Sequence, residues 1–295
     1  MSRRIAAIVN PVSGRTNTIP IVRQLATTVE AAGARFDWTA TLEPGHATKL
    51  ASALGPDVDA LLIAGGDGTL NEVINGLDGR DLPCALLPTG TENLVARALG
   101  LSREIGAVAR TLLGGKPRPF DVGIINGRRF LAVAGVGFDA ECVLRMEEIR
   151  SGNINLLHYL GPIWRTFCTH RFPILHVEAD GSPVFEGRGL VLIGNVRRYG
   201  GGFLIHANAR HDDGLLDVCA FPCSTRWELI KHAMRVVRRW HIGRAGVVYR
   251  QCQHMKITSP DTVAVEVDGE FAGTLPLESR VLPNGIQFLQ LPDGR

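Results

Sequence analysis

Short apolar runs alternate with longer amphipathic stretches over residues 1–115. Residues 5–9 (IAAIV) read as a buried strand, and NPVSGRTN after them as a loop. In 19–32, Ile21, Leu25, Thr28 and Val29 share one helical face, and Gly33 closes the helix. A second strand is expected at 35–41 (RFDWTAT), then a helix from Gly45. A third strand at 59–64 (DALLIA) leads into a helix at 69–77, and a fourth at 84–88 (CALLP) into helices at 89–100 and 103–113. Strands this apolar, each followed by a helix, predict a parallel sheet covered by helices on both faces.

The rhythm changes after about residue 118. Strands are expected at 120–125 and 129–134, joined by the hairpin pair Asn126-Gly127, and again at 174–179, 187–195, 215–221, 254–259, 262–269 and 271–278. Helical patterns interrupt at 154–168 and 225–241. The expected fold class is an N-terminal α/β domain (1–120) with a parallel sheet, followed by a β-rich, sandwich-like domain (121–280). The last segment, 281–295, is expected to close the second domain or return to the first.

Composition narrows the class. Of 295 residues, 45% are hydrophobic and 21% charged, as in a folded globular chain. A net charge of +3 gives no case for nucleic acid as a partner. The cysteines at 84, 142, 168, 219, 223 and 252 form no CxxC pair and read as buried thiols of a reducing compartment. The basic start MSRR precedes an apolar run too short for a signal peptide, and no stretch is long enough to span a membrane. The expectation is a cytoplasmic protein whose membrane contact, if any, is peripheral.

The chemistry concentrates where strands end. Gly65-Gly66-Asp67-Gly68-Thr69 follows the third strand and opens a helix, at the edge where open α/β sheets bind ligands. Its spacing is not that of GxGxxG, and no Lys-Ser/Thr follows to make a Walker A loop. An acid beside a polyphosphate repels it, so Asp67 fits a role through Mg²⁺, as an orienter of loop amides, or as a simple helix cap. Pro88-Thr89-Gly90-Thr91-Glu92-Asn93 repeats the arrangement one unit later, and Asn10-Pro11-Val12-Ser13-Gly14 follows the first strand. Three such loops at one sheet edge read as a phosphate-binding crevice.

The ordered set resembles the diacylglycerol kinase catalytic family, in particular its bacterial soluble lipid kinases, which are similar to sphingosine kinases. Asn10-Pro11-x-Ser13-Gly14, the run Gly65 to Glu72, and Pro88-Thr89-Gly90-Thr91 with Asn93 carry the likeness, with Asp121-Val122-Gly123, Gly200-Gly201-Gly202, Asp213-Gly214-x-Leu216 and Asp268-Gly269-Glu270. The resemblance implies ATP- and Mg²⁺-dependent phosphorylation of a lipid hydroxyl, with the nucleotide between the two domains. It places ATP contacts on Asn10, Pro11, Val12, Ser13, Gly14, Thr41, Gly65, Gly66, Asp67, Gly68, Thr69, Leu70, Asn71 and Thr91. It favours Glu270 as general base, with Asp268 and Asp121 as further members of an acidic group. It also implies a second-domain Mg²⁺ held by Asp213 and the carbonyls of Arg210 and Leu215. Read from the residues alone, Asp-Gly-Glu is by default a solvent-exposed turn, and the Asp213 loop a turn capped by Asp212. Two positions depart from the family pattern: Glu92-Asn93-Leu94 replaces the usual ending of the second loop, and Ala207 stands near a usual proline. Glu92 is expected in the first turn of a helix, where an acid is favourable.

The lipid side is less defined. Residues 154–167 carry Leu156, Leu157, Leu160, Ile163, Trp164 and Phe167 nearly all round a helix, suited to core or to an acyl-chain groove. In 227–243, Ile230, Met234, Val237 and His241 share a face, with Lys231, Arg235, Arg238 and Arg239 around the other. This fits contact with an anionic membrane, or a packed helix with a solvated basic face. His46, His170 and His206 are not spaced as metal ligands. A homodimer is compatible with the sequence. The rival functions are an NAD or other small-molecule kinase, and a silent nucleotide- or lipid-binding protein.

Overall fold

The computed structural model describes residues 2–14, 17–149, 156–244 and 246–292, without the side chains of 148–149 and 156–160. The chain forms two compact units, Met1–Val122 with Pro283–Arg295, and Gly123–Leu282.

The first unit is built on β1 (Arg4–Val9), α1 (Ile19–Ala31), β2 (Arg35–Ala40), α2 (His46–Ser52), β3 (Ala60–Gly65), α3 (Asp67–Leu77), β4 (Cys84–Pro88), α4 (Leu94–Ala98) and α5 (Ile105–Gly114). Its strands are parallel, in the order β2-β1-β3-β4, with Ile5 opposite both Phe36 and Ala60 and Leu62 opposite Ala85. Every residue of β3 and β4 is buried, so both faces of the central strands are covered. Val22, Leu25 and Val29 of α1 and Val108 and Leu112 of α5 pack with Ile5, Ala7, Val9, Leu62 and Leu87. After β1 the chain adds β2 on one side and β3 on the other. The carboxyl ends of β1 and β3 therefore flank a topological switch point.

The elements that follow are β5 (Lys116–Ile125), β6 (Arg128–Phe130), β7 (Val133–Val136), α6 (Phe138–Ile149), α7 (Leu156–Thr169), β8 (Ile174–Ala179), β9 (Ser182–Gly194), β10 (Arg198–Tyr199) and β11 (Phe203–Leu204). Then come β12 (Leu216–Pro222), α8 (Arg226–Val237), β13 (Val248–Cys252), β14 (His254–Thr258), β15 (Ala264–Val267), β16 (Glu270–Thr274) and β17 (Leu277–Gln290). Within the second unit the order is β16-β15-β7-β9-β8-β14-β17, with β12 joining β9 to β13. The pairs between β7, β8, β9, β12 to β16 and the start of β17 are antiparallel. The end of β17 pairs with β4 in parallel, through Phe288 and Cys84.

Strand β9 explains the continuous apolar run GLVLIG. Val191 and Ile193 point into the main core with Ala134, Val218 and Val265, while Leu190 and Leu192 join a second core with Cys219 and Phe221, against which Leu229 and Val236 of α8 pack. Both faces of its second half are covered, so the polar–apolar alternation disappears.

Several expected elements change. The strand expected at 129–134 is two strands, because the amides of 131–133 turn to a carboxylate described below. Helix α6 lies in a stretch to which the sequence pattern assigned no element: its acids and arginine hid its apolar residues. Strand β13 was hidden by its exposed Arg250 and Gln251. The segments 271–278 and 281–290 become β16 and one long β17. Of the helix at 154–168, residues 154–155 and the side chains of Leu156, Leu157 and Leu160 lie outside the described residues; Ile163 and Trp164 face solvent. The face expected for α8 is also rotated. His232 is buried, its ring meeting Phe221 edge-on at 5.4 Å, and Met234 and Val237 are exposed. Thr225 and Glu228 form a capping box that starts the helix. His241 lies beyond the helix, buried, bonded to Ile205 O at 2.8 Å.

Candidate functional site

In the first unit the sheet ladder runs one bond past β1. Asn10 N–H donates to Ala64 O and Thr41 N–H to Val9 O, both at 2.8 Å. This fixes Thr41 and loop 10–14 at the carboxyl edge. Asn10 then ties two loops together: its Nδ2 donates to Thr69 Oγ1 at 3.0 Å, and its Oδ1 accepts from Val12 N–H at 3.1 Å. Pro11 lies in the turn, Val12 is exposed and Ser13 buried.

The loops touch through backbone. A Cβ on Gly90 would lie 2.6 Å from Gly66 Cα, and one on Gly14 2.0 Å from Thr89 O. A Cβ on Gly66 would come within 3.4 Å of Ser13 Oγ. Only glycine allows this approach, so the loops after β1, β3 and β4 form one cluster. Helix α3 begins at Asp67, two residues before the sequence reading, and its N-cap is Gly66. Gly68 and Thr69 then lie in the first turn, where backbone N–H groups have no intrahelical acceptor and favour anions. Leu70 and Asn71 are buried beneath them. Glu72 is structural: its Oε2 accepts from Ala47 N–H at 3.0 Å and docks α2.

The third loop is closed by a residue outside the expected site set. Asn93 Oδ1 accepts from Gly90 N–H at 3.0 Å, and its Nδ2 donates to Gly90 O at 2.6 Å. With φ at 51°, Asn93 is the N-cap of α4, so the helix starts at Leu94 and Glu92 is not in a first helical turn. Thr91 is exposed on this loop. Asp121 is not at a strand end. It lies within β5, 1% exposed, and its Oδ1 accepts from Asn284 N–H at 2.8 Å.

In the second unit Asp268 and Gly269 are the central residues of a hairpin between β15 and β16, with φ of 51° and 82°. The Asp268 carboxylate accepts three backbone bonds: Leu131 N–H at 3.0 Å, Ala132 N–H at 2.9 Å and Val133 N–H at 3.0 Å. This bends the chain between β6 and β7. Glu270, on β16, is half-buried and pairs with Arg128 through Oε2 at 2.5 Å. Beneath the hairpin lies a group the sequence reading missed. Glu266 is fully buried; its Oε2 accepts from Gly269 N–H at 2.8 Å. The Tyr199 hydroxyl lies 2.8 Å from Asp139 Oδ2 and 3.1 Å from Glu266 Oε1. One phenol proton cannot serve two carboxylates. Burial, with the Asp139 charge adding, pushes the Glu266 carboxyl well above the carboxylate range, which favours its protonated form beside the Tyr199 oxygen. Gly135 leaves the room: a Cβ there would lie 2.8 Å from Glu266 Oε1. The available signal was an acid inside the apolar strand TVAVEV.

Asp213 sits in a turn, its Oδ1 accepting from Leu215 N–H at 3.1 Å, while Arg210 pairs with Asp212. Asp217 is buried nearby. Burial pushes its carboxyl up to about 6, opposed by bonds from Tyr249 and Gln251, and the charge of Asp213 adds to the rise. Two mutually repelling carboxyl groups with hard oxygen donors fit a divalent cation. No cluster of three or more His, Cys, Asp or Glu suited to a metal exists among the described residues.

A diacylglycerol kinase catalytic domain model matches residues 4–125, and a YegS C-terminal NAD kinase beta sandwich-like domain model matches 132–290. The chain belongs to the diacylglycerol kinase catalytic family. It is 31% identical to a diacylglycerol kinase of Bacillus subtilis (strain 168), over 94% of this chain and 92% of that one. It is 33% identical to the "Probable lipid kinase YegS-like" of Pseudomonas aeruginosa (strain UCBPP-PA14), over 88% and 85%. A solved diacylglycerol kinase from Bacillus anthracis str. Sterne shares the fold, with a TM-score of 0.73 at 23% identity over 98% of this chain and 97% of that one. Family membership supports a lipid kinase, and the parallel α/β unit followed by a sandwich-like unit is the family's architecture.

Proposed function

We propose that this kinase moves the γ-phosphoryl group of ATP to a hydroxyl of a diacylglycerol-like lipid alcohol. The observation that carries the reading is the three-loop cluster at the switch point, where glycine backbones and the first turn of α3 converge. In this reading residues 10–14, Thr41, residues 65–71 and Thr91 hold the nucleotide, chiefly through backbone N–H groups. Asn10 and Asn93 act by holding the loops in shape. Mg²⁺, when bound, neutralises phosphate charge as the β–γ bond breaks and the new P–O bond forms. Asp67 serves that ion or orients the loop amides. Glu270 accepts the proton leaving the lipid hydroxyl, and Arg128 orients it. Asp268 serves by holding the hairpin, and Asp121 by holding the β17 backbone at Asn284. Asp213, with the carbonyls of Arg210 and Leu215, holds a structural Mg²⁺.

The test is ATP–Mg²⁺ phosphorylation across diacylglycerol, phosphatidylglycerol, a sphingoid base and NAD. Transfer to a lipid and not to NAD is expected. Transfer to NAD alone would reject the reading in favour of a small-molecule kinase, the rival that the NAD kinase-like description of the second half keeps in view.

A further inference from the structure

We infer that α8 and the turn after it form the surface by which this protein settles on an anionic lipid bilayer. Three of the chain's four tryptophans are exposed: Trp164 at 67%, Trp227 at 74% and Trp240 at 63%. Trp227 and Trp240 bracket α8, and Met234 and Val237 are exposed between them. Trp227, Lys231, Met234 and Arg238 follow one another at helical spacing, so apolar and basic residues share one outward face. The opposite face packs Leu229 and Val236 on the second-unit core and buries His232. The stripe is therefore surplus to folding.

Charge selects the partner. Between 226 and 244 stand six basic residues, Arg226, Lys231, Arg235, Arg238, Arg239 and Arg244, against one acid, Glu228. The whole chain carries only +3, so the remainder is net negative and the positive charge is concentrated here. Glu228 is committed to the capping box, and among the described residues no acid forms an ion pair with any of the six. Tryptophans that stand out beside arginines without an acidic partner match the depth profile of a bilayer surface: rings at the headgroup level, guanidinium groups on the phosphates. A second copy docked on this face would set six positive charges against six. Helix α7 adds to the patch. Arg226 donates to the Cys168 carbonyl, which joins the two helices, and α7 exposes Ile163 and Trp164. No helix of the described residues is long and apolar enough to cross a membrane, so the contact lies in the surface plane.

The inference gives the proposed lipid kinase a route to a bilayer-held substrate and rests on that reading only for its purpose. Binding is therefore measured without ATP or acceptor. The full chain is floated with vesicles of phosphatidylcholine alone or mixed equally with phosphatidylglycerol, with tryptophan emission followed in parallel. Binding to the mixed vesicles with a blue shift, weakened by salt, is expected, and little binding to phosphatidylcholine. Arg238→Gln/Arg239→Gln should weaken binding about thirtyfold, at roughly fivefold per charge. Trp227→Ala/Trp240→Ala should weaken it by about tenfold or more. Circular dichroism and phosphorylation of detergent-dispersed lipid separate a lost surface from a lost fold or a failed kinase reading. Equal binding to both vesicle types, full binding by both double variants, or a dimer that the tryptophan variant separates would overturn the inference.

Discussion

The two units bury polar side chains for different ends. In the first, the buried polar residues are Ser13, Thr18, Thr69, Asn71, Asn93 and Asp121. All but one are neutral, and Asn93 spends its side chain on its own loop. Among the described residues the second buries Thr166, Asn195 and Ser279 as well, but adds Glu266, Asp217, His206, His232 and His241, all able to carry charge. The first unit thus spends its buried polar side chains chiefly on the shape of its loops. The second encloses titratable groups of its own, Glu266 beneath the hairpin and the others against backbone carbonyls and Tyr249. Glycine use follows the same division: Gly66 and Gly90 let backbones meet, whereas Gly135 and Gly194 clear space for a carboxyl group and an imidazole.

The comparison can be broken where the expected effects are largest. Glu270→Gln should lower phosphorylation by about 10²–10⁴-fold while ATP binding, followed by calorimetry, persists. Retained turnover would remove the base from the second unit. Gly90→Ala should act in the opposite sense. Its methyl group meets the Gly66 backbone, and an overpacking cost of about 1–3 kcal/mol should appear as lost ATP affinity, up to roughly a hundredfold.

Asp268→Ala removes the acceptor of three N–H groups and leaves alanine at positive φ. Chemical denaturation should report a loss of about 3–5 kcal/mol. Asp268→Asn, suited to that backbone and still an acceptor, should recover part of it. Equal losses in the two variants would show that the carboxylate does not anchor the bend.

The most gradual effect is a pH dependence. Burial holds His206 neutral, down to about 4 against an ordinary 6.5, with its Nε2 on Leu192 O. As pH falls, the unfolded chain takes up this proton first. The stability His206 contributes is full above pH 6.5 and is lost as pH falls toward 4, to a total of about 3 kcal/mol. Burial lowers His232 in the same direction. His206→Gln should flatten the acid side of the melting curve against pH. An unchanged slope would place the sensitivity elsewhere.

The first unit was nearly transparent in the sequence because its information is local. A buried parallel strand, a glycine loop and a helix start follow one another within a few residues, so GGDGT declared its place in the fold. The second unit kept less in local order. Its Asn126-Gly127 hairpin was legible, yet the break after β6 depended on Asp268, far along the chain, and α6 and β13 lacked a clear apolar face.

The residues alone determined the class of each half, the three loops at one sheet edge and the candidate carboxylates. They could not say which carboxylates were already committed. Tertiary structure assigned Asp268 to three backbone amides, gave Glu270 to Arg128 and uncovered the Glu266–Tyr199–Asp139 group. It also turned α8 so that Trp227 faces water. The physical reason is common to all four: a side chain's role depends on the partners that folding brings to it, and those partners lie on other strands and helices.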